Sequence, residues 1–182
     1  MVEGKLRNIL QIGLITIIVS ALLLRSVLGG LLVAVPLALA VAVNFGVMGL
    51  LGVPLDTMTA AISAMAVGIG ADYAMYVLFR AREELASGLD VEEALRRTLA
   101  TSGKAVLFVS SAIALGYATL CLSGFAVHVQ LGGLVALAML VSSASALTLL
   151  PAVVARYRPS FLWAGRARFA PRPILDPALL AK

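Results

Sequence analysis

An all-α membrane protein with five membrane-crossing helices is what this sequence predicts, and three observations carry that expectation. Of its 182 residues 62% are hydrophobic and 13% charged, whereas soluble domains run at about half apolar and about a quarter charged. The apolar residues gather into runs of about 18 or more, enough for the roughly 20 helical residues that cross a hydrocarbon core of about 30 Å. The charges gather between those runs. One buried core could not absorb such a composition, because a domain of this size still needs a polar surface.

The runs place spans near residues 7–24, 29–52, 57–80, 104–122 and 128–155. The first follows Lys5 and Arg7 as a signal peptide would, but Leu22, Leu23, Leu24 and Arg25 offer no small-residue cleavage site, so it is expected to be retained. The second contains Pro36, which frees a backbone carbonyl that neighbouring helices must satisfy in lipid. A packed bundle follows. The third begins at Thr57 behind Asp56, whose simplest role is that helix's N-cap.

Between the third and fourth spans lies LDVEEALRRTLATSG. Asp90 and Glu93 have capping-box spacing, and Val91, Ala94, Leu95 and Leu99 share one face. This predicts an amphipathic helix over about 90–101, resting on the membrane surface. A solvated connector is the alternative. Residues 1–155 thus form one transmembrane domain, and 156–182 a basic tail with Phe161, Trp163 and Phe169 interleaved and Pro171, Pro173 and Pro177 breaking any helix. Such a tail suits anionic lipid; nucleic-acid binding is not expected, since a basic tail beside a last span is what the positive-inside rule already predicts.

Of the 14 Lys and Arg residues, all but Lys5 and Arg7 fall on one side of this five-span arrangement. That side should be cytoplasmic, with the amino terminus outside and the carboxyl terminus inside. A short basic amino terminus left outside suggests that the chain continues something larger. Cys121 is the single cysteine and excludes an internal disulfide framework. His128 has no second ligand at metal spacing, and no nucleophile set or phosphate loop is present, so neither a metal site nor an enzyme is expected.

Within the third span, VGIGADYAMY sets Asp72 and Tyr73 in an otherwise apolar run. A dinucleotide fingerprint needs a third glycine and a strand-to-helix turn, so that reading fails. A structural hydrogen-bonding pair and a proton site remain. An aspartate at the centre of a membrane helix costs about 2.5 to 3.5 kcal/mol on insertion scales, which makes such residues rare and usually functional. Gly68 and Gly70 remove bulk beside it and would let a second helix or a file of water come close. Ser110 and Ser111 on the fourth span lie at the same depth as Asp72, about 6 Å to the cytoplasmic side of the middle. Ser142, Ser143 and Ser145 on the fifth lie close to that depth, with Asn44 further out.

The stretch GIGADYAMYVLFRAREELASGLDVEEALRRTLATSGKAVLFVSSAIALGYATLCLSGF, followed by LGGLVALAML and ALTLLPAVV, resembles the carboxyl-terminal membrane half of resistance-nodulation-division exporters, in the MMPL-like branch. The likeness covers about residues 9–155. Its most specific parts are Gly68-x-x-x-Asp72-Tyr73 and the closing Leu150-Pro151-Ala152. The resemblance implies a multi-pass protein of the bacterial inner membrane, with the five spans equivalent to helices 8–12 of such a transporter. It implies that Asp72 and Tyr73 belong to a proton relay, with Ser110 and Ser111 beside it, and that an amino-terminal half with a matching Asp-Tyr helix completes the relay. It also implies a proton gradient as energy source with no cofactor, and lipid or another hydrophobic cargo. Further partners it suggests are membrane lipids and a second copy of the protein. A Sec-type export accessory subunit and a sterol-sensing-like lipid-binding module are the competing readings.

Overall fold

The computed structural model describes residues 2–159 and 162. Six α-helices follow in order: α1 (Val2–Leu24), α2 (Val27–Leu50), α3 (Thr57–Ala86), α4 (Val91–Thr98), α5 (Lys104–Ala118) and α6 (Ala126–Tyr157). A π turn, Leu99–Gly103, joins α4 to α5, and a 3₁₀ turn, Thr119–Leu122, closes α5. Among the described residues there is no strand, and the fold is all-α. Four stretches are long and apolar enough to cross a membrane, namely α2, α3, the run from α4 through the 3₁₀ turn, and α6; the apolar part of α1, Leu10–Leu24, is shorter.

Local chemistry sets the boundaries. At the α1–α2 turn Arg25 takes a left-handed backbone (φ 50°), and Ser26 caps α2 by accepting from Gly29 N at 3.2 Å. Asp56 caps α3 with a reciprocal box: its Oδ1 accepts from Thr59 N at 2.7 Å, while Thr59 Oγ1 accepts from Asp56 N at 2.9 Å. Helix α3 then runs to Ala86, past the end expected at residue 80. Its extension is a run of helix formers tied by Arg80, which pairs with Glu83 at 3.0 Å and Glu84 at 2.6 Å. Arg82 Nη1 donates to Leu24 O at 3.1 Å, taking up a carbonyl that the end of α1 leaves without an intrahelical donor. At the far end α6 runs through Arg156 to Tyr157, so the tail expected from 156 has its first two residues in a helix; residues 160–161 and 163–182 of that tail lie outside the described residues.

Helix α6 is the central element. It packs most extensively on α3 and also on α5 and α2, while α1 packs on α2 and α3. The core is filled from these faces by Leu78, Val77, Val135, Met139, Leu150 and Val154, all 1% exposed or less. Small residues let the axes close up. A Cβ on Gly30 would sit 2.7 Å from Ile17 O of α1, which marks a close approach of α1 and α2.

Two expectations for α4 need correction. Its apolar face, Val91, Ala94, Leu95 and Thr98, is buried against the ends of α3 and α6 rather than laid on lipid. Asp90 stands at the N-cap but makes no side-chain capping bond, and Glu93 is drawn away from the box. Its carboxylate accepts from Arg96 Nε at 2.8 Å and Arg97 Nε at 2.9 Å. Charged donors bind a carboxylate more strongly than a backbone amide does, and the two guanidiniums hold Glu93 at about 2, below its ordinary 4.5. A depressed carboxyl pKa contributes stability that is complete above 4.5 and lost as pH falls through about 2. In a residue-resolved NMR titration Glu93 is expected to change charge near 2, and to move back toward 4.5 in high salt because the pairs are exposed. A midpoint at 4.5 in low salt would show that the pairs do not form.

Candidate functional site in the membrane bundle

Asp72 lies 15 residues into the 30 of α3, at its middle. It is exposed, on a stripe with Met65, Gly68, Tyr76 and Phe79, the three or four residue steps that define one face of a helix. Among the described residues it makes no hydrogen bond and no ion pair. The rest of that stripe is uncharged, with Met65 40%, Tyr76 63% and Phe79 37% exposed. Its neighbours along that stripe offer it no charged partner.

Tyr73 points the other way. Successive residues on a helix diverge by about 100°, and the Tyr73 side chain is buried toward α6, where its hydroxyl donates to Met139 Sδ at 3.6 Å. One residue pair therefore serves two surfaces: Tyr73 the interior, Asp72 the open face.

Of the glycines before them, Gly70 brings α6 close. Ser142 Oγ donates to Gly70 O at 2.8 Å, and a Cβ on Gly70 would lie 2.7 Å from that oxygen. This bond also fixes the depth of α6 against α3, which puts the buried Ser142, Ser143 and Ser145 near the level of Asp72. Gly68 differs. It sits one turn before Asp72 on the open stripe, and a Cβ there would meet nothing within 4 Å.

Ser110 and Ser111 are not joined to the pair. Ser110 is buried and donates to Leu107 O at 3.1 Å; Ser111 is exposed and donates to Phe108 O at 2.9 Å. Both hydroxyls are thus spent on the carbonyls of their own helix, the usual resort of serine inside an apolar helix. Asn44 Oδ1 and Ser145 Oγ are buried with no hydrogen-bond partner among the described residues. Met139 is the contact that sequence reasoning missed, since a methionine in an apolar helix carries no signal of what it touches. Among the described residues no group of three or more His, Cys, Asp or Glu side chains could hold a metal ion.

The close contact at Gly70 gives a direct expectation. Gly70→Ala should cost about 1 kcal/mol, because the obstructing atom is a hydroxyl that can rotate away but loses its bond in doing so. Combining it with Ser142→Ala should recover part of that loss in a thermal-shift measurement on the detergent-solubilised full-length protein. Equal melting of both variants and the parent would mean that α3 and α6 do not meet there.

Residues 2–175 match the MMPL family. The chain belongs to that family. A membrane protein of Methanocaldococcus jannaschii is 31% identical to this MMPL chain over 144 residues, covering 79% of the chain and 37% of the relative. The mycolic acid-containing lipids exporter MmpL11 of Mycolicibacterium smegmatis is 32% identical over 120 residues, covering 62% of the chain and 13% of the exporter. The trehalose monomycolate exporter MmpL3 of Mycobacterium tuberculosis is 46% identical over 59 residues, covering 30% of the chain and 6% of the exporter. The MMPL chain therefore spans 37% or less of the length of each of these relatives. With its membrane-length helices, it is a multi-pass membrane protein.

Proposed function

We propose that this chain is the carboxyl-terminal membrane half of a proton-driven exporter that moves lipid or another hydrophobic cargo, with Asp72 as the acid that gains and loses the coupling proton. The observation that carries this reading is Asp72 itself, exposed at the middle of a membrane-length helix with no hydrogen bond or ion pair among the described residues. Facing lipid, it would cost about 2.5 to 3.5 kcal/mol. Facing a second half with a matching Asp-Tyr helix, it gains donors and water instead.

On this reading Tyr73 holds the inner side of the relay, its hydroxyl turned toward α6. Ser110 and Ser111 supply hydroxyls that leave their own carbonyls when α5 moves. The open face beside Gly68 admits the partner's side chain. No cofactor takes part, the proton gradient supplies the energy, and no covalent chemistry is done on the cargo. The α4 end, which gathers Arg25, Arg80, Arg82, Arg96, Arg97, Lys104 and Arg156, is the cytoplasmic side of a bacterial inner membrane by the positive-inside rule, and the amino terminus lies outside. A lipid cargo is supported by the relatives, two of which are named exporters of trehalose monomycolate and of mycolic acid-containing lipids.

Envelope lipids of cells carrying or lacking the full-length protein test the cargo. At least one extractable lipid class should fall in the deletion strain and recover on complementation, and adding a protonophore should mimic the deletion within minutes. An unchanged lipid profile would count against lipid export; a profile insensitive to the protonophore would count against proton drive.

A further inference from the structure

A groove of about 730 Å³ opens on the side of the α1–α2 hairpin, along Ile17, Ile18 and Leu22 of α1 and across the turn to Val27, with Arg25 and Ser26 at its end. Ile18, Leu22 and Val27 are exposed. From Ile18 to Arg25 the groove follows α1 for about 10 Å at helical rise.

Its polar end carries unbalanced charge. Arg25 is exposed and makes no ion pair among the described residues. Arg82, whose Nη1 donates to the carbonyl of Leu24 just before it, is likewise without an acid among those residues, and its Nε is buried with no hydrogen-bond partner there. The acids that follow it, Glu83 and Glu84, are both taken by Arg80. Two guanidiniums at one turn with no carboxylate suit an anion from outside, and the planar guanidinium fork matches a phosphate.

The backbone points the same way. Arg25 is held at φ 50°, a left-handed conformation that glycine adopts freely and arginine only under strain. At two other turns the chain has glycine in that region, Gly52 at φ 64° and Gly88 at φ 93°. An arginine kept where glycine would relax the turn implies a use for its side chain. Depth then narrows the anion. The apolar part of α1, Leu10–Leu24, rises about 22 Å, less than the hydrocarbon core of about 30 Å. Arg25 therefore meets the membrane at the boundary between acyl chains and headgroups, where one molecule can offer phosphate to the guanidinium and hydrocarbon to the groove.

We propose that the α1–α2 turn binds one anionic phospholipid of the leaflet at the α4 end, its phosphate on Arg25 with Arg82 beside it, and an acyl chain along Ile18 and Leu22. This lipid is a resident ligand that ties the short first helix to the membrane surface, not cargo. The inference takes the α4 end as cytoplasmic, where anionic lipid attracts basic side chains, and does not depend on Asp72.

Lipid titration of the full-length protein in detergent, read by native mass spectrometry, tests it, with phosphatidylglycerol and phosphatidylcholine of the same acyl chains as probes. The first phosphatidylglycerol should bind at least about tenfold more tightly than phosphatidylcholine, the gain expected of one charge-assisted phosphate contact. Equal binding would overturn the site. Arg25→Gly suits the left-handed turn, so it should melt no lower than the parent in lipid-free detergent while losing most of that preference. A folded variant that keeps the preference would overturn the proposal, and that is also the outcome if another part of the protein covers the groove. Arg158→Gly is the matched control: Arg158 is also left-handed, at φ 43°, and lies at the same end of the bundle, but on α6, which α1 scarcely touches among the described residues. It should keep the preference; equal loss in both variants would mean diffuse attraction to a basic rim and overturn the site. Inorganic phosphate that raises the melting temperature as much as phosphatidylglycerol does would overturn a lipid as the occupant. Asp72→Asn should leave every one of these readings unchanged, so failure here and failure of the relay reading are told apart.

Discussion

Asp72→Asn in the full-length protein is expected to reduce export to background while leaving membrane insertion and abundance unchanged. The substitution preserves side-chain size and hydrogen-bonding capacity and removes only the titratable proton. Insertion should not suffer, because an amide is cheaper than a carboxylate in hydrocarbon and Asp72 holds no hydrogen bond or ion pair among the described residues that the change would break. Tyr73→Phe is a milder lesion. It gives up one long contact, the 3.6 Å donation to Met139 Sδ, worth well under about 1 kcal/mol of stability. If Tyr73 belongs to the relay, its export should nevertheless fall, since a phenyl ring lacks the hydroxyl. Export and quantified membrane protein, measured together, decide both points. An Asp72→Asn protein that exports normally would sink the relay assignment, whatever Tyr73→Phe does.

Much of this arrangement is legible in the sequence, and what is not fails for identifiable reasons. Run length and the positions of charges are one-dimensional, so they disclose how many helices are long and apolar, and that Asp56 begins α3. Depth is also one-dimensional: counting residues puts Ser142 level with Asp72, and the Ser142 to Gly70 bond of 2.8 Å agrees. Azimuth is different. Whether Ser110 faces Tyr73 or folds onto Leu107 depends on how α5 is rotated, and the rotation of α5 is set by its packing on α6. The end of α3 is missed because an apolar run stops at its first charge, whereas the helix continues through Ala86 on ion pairs between Arg80, Glu83 and Glu84. The capping box at Asp90 fails by competition: the spacing is right, but Arg96 and Arg97 on the next turn outbid a backbone amide for Glu93.

The largest stability effect is expected at Gly132, where α6 crosses the end of α5. A Cβ there would run into Tyr117 O and lie 2.8 Å from Leu120 Cβ and 3.4 Å from Cys121 N. Unlike the hydroxyl opposite Gly70, these are backbone atoms or the first carbon of a side chain, and none can rotate away. The crossing itself must open. Helix α5 has little else to hold it, since among the described residues it packs mainly on α6 and its own flanking turns. Gly132→Val should therefore cost about 3 kcal/mol or more, at or above the upper end for overpacking, and should free α5 as a unit. Two neighbouring glycines supply the contrast. A Cβ on Gly133 would meet Cys121 Sγ at an ordinary 3.9 Å, and one on Gly116 would meet nothing within 4 Å. Gly133→Ala should be close to neutral, and Gly116→Ala should stabilise by about 0.5 to 1 kcal/mol by restricting the unfolded chain and favouring helix. Melting of the three full-length variants in detergent separates the cases. If Gly132→Val melts with Gly133→Ala, the close crossing of α5 and α6 is wrong, and with it the placement of α5 against the bundle.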